Sequence, residues 1–357
     1  MKSNLTKSLL VMVLSVFSFG IAKAQLSGSY TIGSGTGFDY ASVAAAASDL
    51  TSNGVSGAVT FSIADGTYSG QVSLGSGITG ASSTNTITFK SANADRTKVT
   101  ITNGGSYTLY FTGTDYVTFE DVTIKNTASS GFRNVFLNTG SSNNSFIDCD
   151  LLAPVTTSWG TYNVYNYRSD DNAFKNCTLV GGYYNVYSYG VGSGRNANSG
   201  LIVENCDVKK HYYYGLYNYY QTDMLLKGNT IDSAGVQYAY GIYAYYGHAN
   251  NIDGNEIFGH GYPIMMYYDG YVAPSATDTT VVSNNITRSN QYYGLYHYYS
   301  DQIRYFHNVF EAGGSNYAVY MSSYQRNDIS FANNICIADG GYYGAYIYLG
   351  GASYQPT

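Results

Sequence analysis

Apolar residues recur first at helical spacing and then, for nearly all the rest of the chain, at every second position. Val43, Ala47 and Leu50 fall on one helical face. Asp39 reads as the N-cap, Phe38 and Val43 as a hydrophobic staple around it, and Gly54 as the stop. These signals predict a helix around residues 40–51. Short alternating runs follow at Val59/Phe61/Ile63, Val72/Leu74, Ile87/Phe89 and Val99/Ile101, with Gly, Asn or Ser between them. Such runs are half-buried strands. One amphipathic helix ahead of many short strands is suited to covering the open end of a stack, which would otherwise expose unpaired backbone and apolar side chains.

The strands repeat. An aromatic or aliphatic residue, two spacers, a small residue and an apolar residue two further on recur as Phe119…Val122…Ile124, Phe146…Cys149…Leu151, Phe174…Cys177…Leu179 and Val203…Cys206…Val208. Leu226…Asn229…Ile231, Ile252…Asn255…Ile257, Val281…Asn284…Ile286, Tyr305…Asn308…Phe310 and Phe331…Asn334…Cys336 continue the series. The step is about 26 residues, the period of a solenoid coil. A second motif, Tyr-(Gly/Asn)-(Leu/Ile/Val)-Tyr-x-Tyr, interleaves with the same period, as in Tyr162–Tyr167, Tyr214–Tyr219 and Tyr240–Tyr245. Two registers with one period predict an all-β solenoid of ten or more coils, stacked about 4.8 Å apart so that each position becomes a column of like residues.

Composition narrows the setting. Charged residues are 11% and Pro only 4 in number, which argues against disorder. A formal charge of -6 gives no basic surface for nucleic acid. Lys2 and Lys7, the apolar run Leu9 to Phe19 and Ala22-Lys23-Ala24 before Gln25 form a secretory leader with its cleavage site, too short in its apolar part to span a membrane. The expected organisation is a signal peptide over 1–24, a cap over 25–58 and a β-helix over 59–357, in a secreted or cell-surface protein. The end at Gln355-Pro356-Thr357 shows no capping pattern. This predicts that the natural chain continues into a further domain, or that a partner protein meets this end.

The paired pattern, as in Tyr293-Gly294-Leu295-Tyr296…Ile303…Asn308-Val309-Phe310, resembles the right-handed parallel β-helix repeat of pectin-lyase-like and NosD-type proteins. The entry segment Val59–Tyr68 is similar to that of secreted β-helix proteins of Bacteroidetes-type bacteria. The resemblance implies the right-handed winding, but it does not select an activity, because this fold carries lyases, hydrolases, adhesins and phage spikes.

Candidate chemistry lies in three places. Asp121 and Asp148 share a column, with Asp150 two residues on. Such spacing suits a glycosidase-type carboxylate pair or a calcium site. Asp170-Asp171 matches the aspartate pair of polygalacturonase-like hydrolases, but the rest of that pattern is absent. Cys149, Cys177 and Cys206 share the ladder position that later coils give to Asn, which reads as a buried filler or as a disulfide within the ladder. His297 shares a column with Met266 and Met321, either gap-filling or a soft copper-binding set.

Tyrosines outweigh all of these. The chain has 42, and they crowd into the later coils. With the aliphatic position inward, its +1 and +3 neighbours point out. Tyr165, Tyr187, Tyr217, Tyr243 and Tyr296 then form one outward column, and Tyr167, Tyr189, Tyr219, Tyr245 and Tyr298 a second, with Trp159 in a loop beside them. Tyr suits a half-exposed strand for packing alone. Exposed aromatic rows also mark contact surfaces, and rings with hydroxyl tips suit sugars or a protein. The expectation is a non-catalytic binder of polysaccharide or other cell-surface material. A lyase or hydrolase using the aspartates, or a self-assembling adhesin segment, are the alternatives.

Overall fold

The alternation closes each coil into three short strands, and parallel pairing stacks the coils into a β-helix of about a dozen turns. The computed structural model describes residues 24–75, 77–192, 198–270, 278–314, 316–323, 328–340 and 343–349. The leader-like residues 1–23 and the terminal Gln355-Pro356-Thr357 lie outside them. Three parallel sheets of 12, 11 and 11 strands form the walls. The 12-stranded sheet begins earlier than the alternation suggested, because Leu26–Ile32 pairs in parallel with Val55–Ile63. Among the described residues no helix is long and apolar enough to cross a membrane.

The core is built column by column. Phe61, Phe89, Phe119, Phe146 and Phe174 stack with centroids 4.6, 5.0, 5.8 and 5.0 Å apart. Beside them Ile101, Ile124, Leu151, Leu179 and Val208 fill the second wall, and Leu109, Val135, Val164, Val186 and Leu216 the third, all buried. Each column removes apolar surface from water between apolar neighbours of similar shape, so one coil stabilises the next.

The helix runs Val43–Asn53, later than expected, and Ser42 rather than Asp39 is its N-cap, accepting the Ala45 N–H at 3.1 Å. Asp39 is drawn elsewhere: it accepts from the backbone N–H and hydroxyl of Thr31 at 2.7 and 2.8 Å, bonds that hold its carboxyl below the usual range. Phe38 is exposed, so no staple forms. Gly54 does end the helix, at φ 70, with its N–H on Leu50 O at 2.8 Å. Val43, Ala46, Ala47 and Leu50 bury the helix against the first coils.

The small-residue ladder is present, with one register correction. Cys149, Cys177 and Cys206 are buried and free, so no disulfide forms there; each Sγ lies 3.3–3.4 Å from a carbonyl of the coil before. Asn229, Asn255, Asn285, Asn308 and Asn334 continue the column. The coil after that of Asn255 therefore places Asn285, not Asn284, in the ladder and Thr287, not Ile286, in the core; Thr287 is buried while Ile286 is 43% exposed. Asn284 takes the left-handed bend before the ladder, at φ 56, the site held by Asp148, Asn176, Asn205, Gly228 and Gly254 in earlier coils. A slip of one residue reverses every side chain of a strand, and Asn284 suits the left-handed bend better than Ser283 would, which favours this register.

A candidate ligand face built from tyrosines

The outward tyrosines belong to one wall, the sheet containing Tyr162–Tyr167, Tyr184–Tyr189, Tyr214–Tyr219, Tyr240–Tyr245 and Tyr262–Tyr267. In these strands the first, fourth and sixth residues face out, and the third is buried aliphatic in every case. Both expected columns are there. Tyr165, Tyr187, Tyr217 and Tyr243 follow one another at 5.1, 4.9 and 4.9 Å between centroids. Tyr167, Tyr189, Tyr219, Tyr245, Tyr267 and Tyr298 do so at 5.0–5.5 Å. Met265 interrupts the first of these before Tyr296, which stacks on Tyr320 at 5.0 Å.

Two further outward columns flank these, one of them the motif's own first position. The leading tyrosines Tyr162, Tyr184, Tyr214, Tyr240 and Tyr262 stack at 5.1, 4.9, 5.1 and 4.9 Å, with planes within 13° of parallel. They also lean on their strand neighbours, as in Tyr162–Tyr165 at 4.7 Å. The fourth column lies at the bend just after the strand, where Tyr220, Tyr246, Tyr268 and Tyr299 stack at 5.1, 5.1 and 5.3 Å. The doubled tyrosines closing each motif (219-220, 245-246, 267-268, 298-299) were the available signal.

These four bend tyrosines have φ of 52, 57, 54 and 50, in the left-handed region that bulky L-residues avoid. Earlier coils fill the bend with Gly113 and Gly140, at φ 59 and 73. Each tyrosine there costs about 1–2 kcal/mol relative to glycine. Arg168, at φ 53, takes the same site next to the tyrosine block, with its Cζ 4.9 Å above the Tyr167 ring.

The geometry changes what the face offers. In the leading and bend columns each ring covers its neighbours' faces, so the sugar-stacking surfaces anticipated from sequence are occupied there by other rings, whereas Tyr187–Tyr217, Tyr219–Tyr245 and Tyr245–Tyr267 meet at 46°, 55° and 74°. Solvent meets ring edges and phenol hydroxyls. Burial pushes the hydroxyls of Tyr187, Tyr214, Tyr217 and Tyr243 well above the normal phenol range and that of Tyr245 up to about 12. Burial thus moves these hydroxyls further from ionisation. From Tyr184 to Tyr299 the four columns hold tyrosine at every site except Gly190 and Met265. Trp159 is 75% exposed and, among the described residues, stacks on no ring.

The early-coil carboxylates come together around Arg96. Its guanidinium lies 3.6 Å from Asp148 and 3.3 Å from Asp150, and it also donates to Asn176 O at 3.2 Å. Asp121 and Asp148 occupy the left-handed bend, at φ 55 and 52, a position that by itself favours Asp. Burial, and then the charge of Asp148, raise the Asp121 carboxyl above its ordinary range. Asp170 accepts the Ser199 N–H at 2.8 Å, and Asp171 takes a bend at φ 52. Among the described residues no three His, Cys, Asp or Glu groups are gathered to hold a metal ion.

His297 lies in register with Met266 and Met321, and both its nitrogens are engaged: Nδ1 with the Tyr305 hydroxyl at 2.9 Å and Nε2 with Ser300 O at 3.0 Å. Sequence separation hid a second arrangement. His211 and His260, fully buried and two coils apart, meet Nε2 to Nε2 at 2.7 Å across the coil of Ser233.

Residues 162–336 match the family described as Right handed beta helix region, the stretch that carries the tyrosine lattice. No curated protein matches the chain in sequence. Among solved structures, the Dettilon tailspike protein is similar over 85% of this chain and 64% of its own, at 11% identity and a TM-score of 0.54. This chain thus spans less than two thirds of the tailspike. A mannuronic acid specific polysaccharide family 6 lyase from human gut microbiota is similar over 89% of this chain and 82% of its own, at 13% identity and a TM-score of 0.50. Pectate lyase Pel9A is similar over 88% and 80%, at 12% identity and a TM-score of 0.48. At such identities the likeness is one of fold, a right-handed parallel β-helix.

Proposed function

We propose that this β-helix is a secreted or surface-displayed protein that binds polysaccharide through its tyrosine wall, without catalysis. The observation that carries the reading is the fourth column. Glycine serves the bend in coils Gly113 and Gly140, whereas Tyr220, Tyr246, Tyr268 and Tyr299 hold it at a conformational cost. Strain kept over successive coils points to a role beyond closing the turn. Outward rings packed against one another over several coils form the kind of contiguous aromatic surface that marks contact sites. Soluble-glycan pull-down and array binding test this. Tyr217→Ala combined with Tyr243→Ala is expected to abolish retention while the β-sheet spectrum is unchanged; full retention sinks the assignment.

A second reading is supported by the Asp121–Asp148–Asp150 group. A carboxyl raised first by burial and then by a neighbouring carboxylate is the kind of pairing that acid–base hydrolysis uses. Against it stands Arg96, which already engages Asp148 and Asp150.

A further inference from the structure

We propose that the ligand is an extended, uncharged β-linked glycan lying along the solenoid axis, with successive sugars meeting successive coils. This rests on the polysaccharide-binding reading above and gives it a substrate class.

Charge makes the first argument. From Tyr184 to Tyr299 none of the four columns presents an ionised group. An anionic polymer would need cations at regular intervals, and the lattice supplies none. Arg133 and Arg168 stand only at its N-terminal border, and aromatic rings hold both. The Arg133 Cζ lies 5.1–5.8 Å from the rings of Tyr107, Phe136, Tyr162 and Tyr165, and the Arg168 Cζ lies over Tyr167. A chain of formal charge -6 also repels polyanions at long range.

Periodicity makes the second. Leading-column rings repeat at 4.9–5.1 Å along the axis. An extended β-1,4-linked glycan advances by close to one strand spacing per sugar, so its hydroxyls and those of the phenols keep step without bending either partner. Hydroxyl chemistry makes the third. Each phenol both donates and accepts, as does each sugar hydroxyl, directly or through a bridging water. Any single row contributes weakly, and rows add as the chain lengthens.

Calorimetric titration of the full chain with cello-, xylo- and manno-oligosaccharides from disaccharide to octasaccharide tests the proposal. Polygalacturonate and alginate run alongside at low and high salt. The expected result is at least about tenfold tighter binding of a hexasaccharide than of a disaccharide, insensitive to salt, in at least one neutral series. Tyr214→Ala should weaken long oligosaccharides more than short ones. Salt-sensitive binding of polyuronates alone overturns the neutral class while leaving glycan binding in place. Neutral binding that does not depend on length overturns the axial arrangement. If no glycan binds, the underlying reading fails; concentration-dependent dimerisation in sedimentation, lost in Tyr217→Ala with Tyr243→Ala, would then give the face to a second copy of the chain.

Discussion

Asn285 Oδ1 accepts two hydrogen bonds from Asn255, one from its backbone N–H and one from its side-chain amide, both at 2.9 Å. Asn285 Nδ2 returns to Ile252 O at 2.9 Å and also reaches Asn308 Oδ1 at 2.9 Å. Every polar atom of the amide is used inside the core, and each coil supplies the partner that the next requires.

Asn285→Ala should therefore lower stability by about 2–4 kcal/mol, since it strands buried donors on Asn255 and a buried carbonyl on Ile252. Asn284→Ala, one residue earlier, should cost only about 1–2 kcal/mol, the price of a left-handed bend without Asn. Urea midpoints compare the two; the reverse order would contradict the register.

Tyr246→Gly separates function from stability. Glycine relieves about 1–2 kcal/mol at the bend, while the stacks on Tyr220, Tyr245 and Tyr268, about 0.5–1.5 kcal/mol each, are lost. The net loss of stability should stay within about 1–2 kcal/mol, and glycan retention should fall. A large loss of stability with retention intact would assign the ring to packing.

Acid should destabilise the protein early. Burial lowers His211, sets His260 at about 3 and His297 at about 4, whereas the unfolded chain takes up these protons near 6.5. Their stabilisation is complete above about pH 6.5 and declines as pH falls, by about 2 kcal/mol per histidine at pH 5. Asp269 works in the opposite sense. Burial raises its carboxyl to about 6 against a usual 3.8, so its contribution is present below about pH 4 and is lost as pH rises through 6. Three histidines outweigh one aspartate, so denaturant midpoints should drop between pH 7 and 5. His260→Leu should flatten that slope.

Asp148→Asn and Arg96→Ala address catalysis. The pairs are partly exposed, so each should change stability by less than about 1 kcal/mol. Assays for unsaturated products and new reducing ends on a polysaccharide panel are expected to show no turnover for the parent. Turnover that disappears in Asp148→Asn would transfer the function to the early coils.

The period, the small-residue ladder and two tyrosine columns were legible because each imposes one residue type at one spacing. The misplacements have local causes. Asn284 and Asn285 are both asparagine, so the ladder could be assigned to either until the bend was considered. Asp39 has the chemistry of a cap, but Thr31 reaches it first. Tyr220 and its three counterparts follow the motif and were invisible to a pattern that ended at its last outward strand residue. His211 and His260 are 49 residues apart, and no local pattern pairs them.

That histidine pair also bears on how the solenoid comes apart. Repeat stacks ordinarily unzip by nearest-neighbour steps, one coil at a time. His211 and His260 instead rivet two coils that do not touch in sequence order, with the Ser233 coil clamped between them and its hydroxyl on Gly259 O. Under a mechanical load from the C-terminal side, peeling should proceed in small increments, halt at the 256–260 strand, and then release the His260 and Ser233 coils together in one rupture.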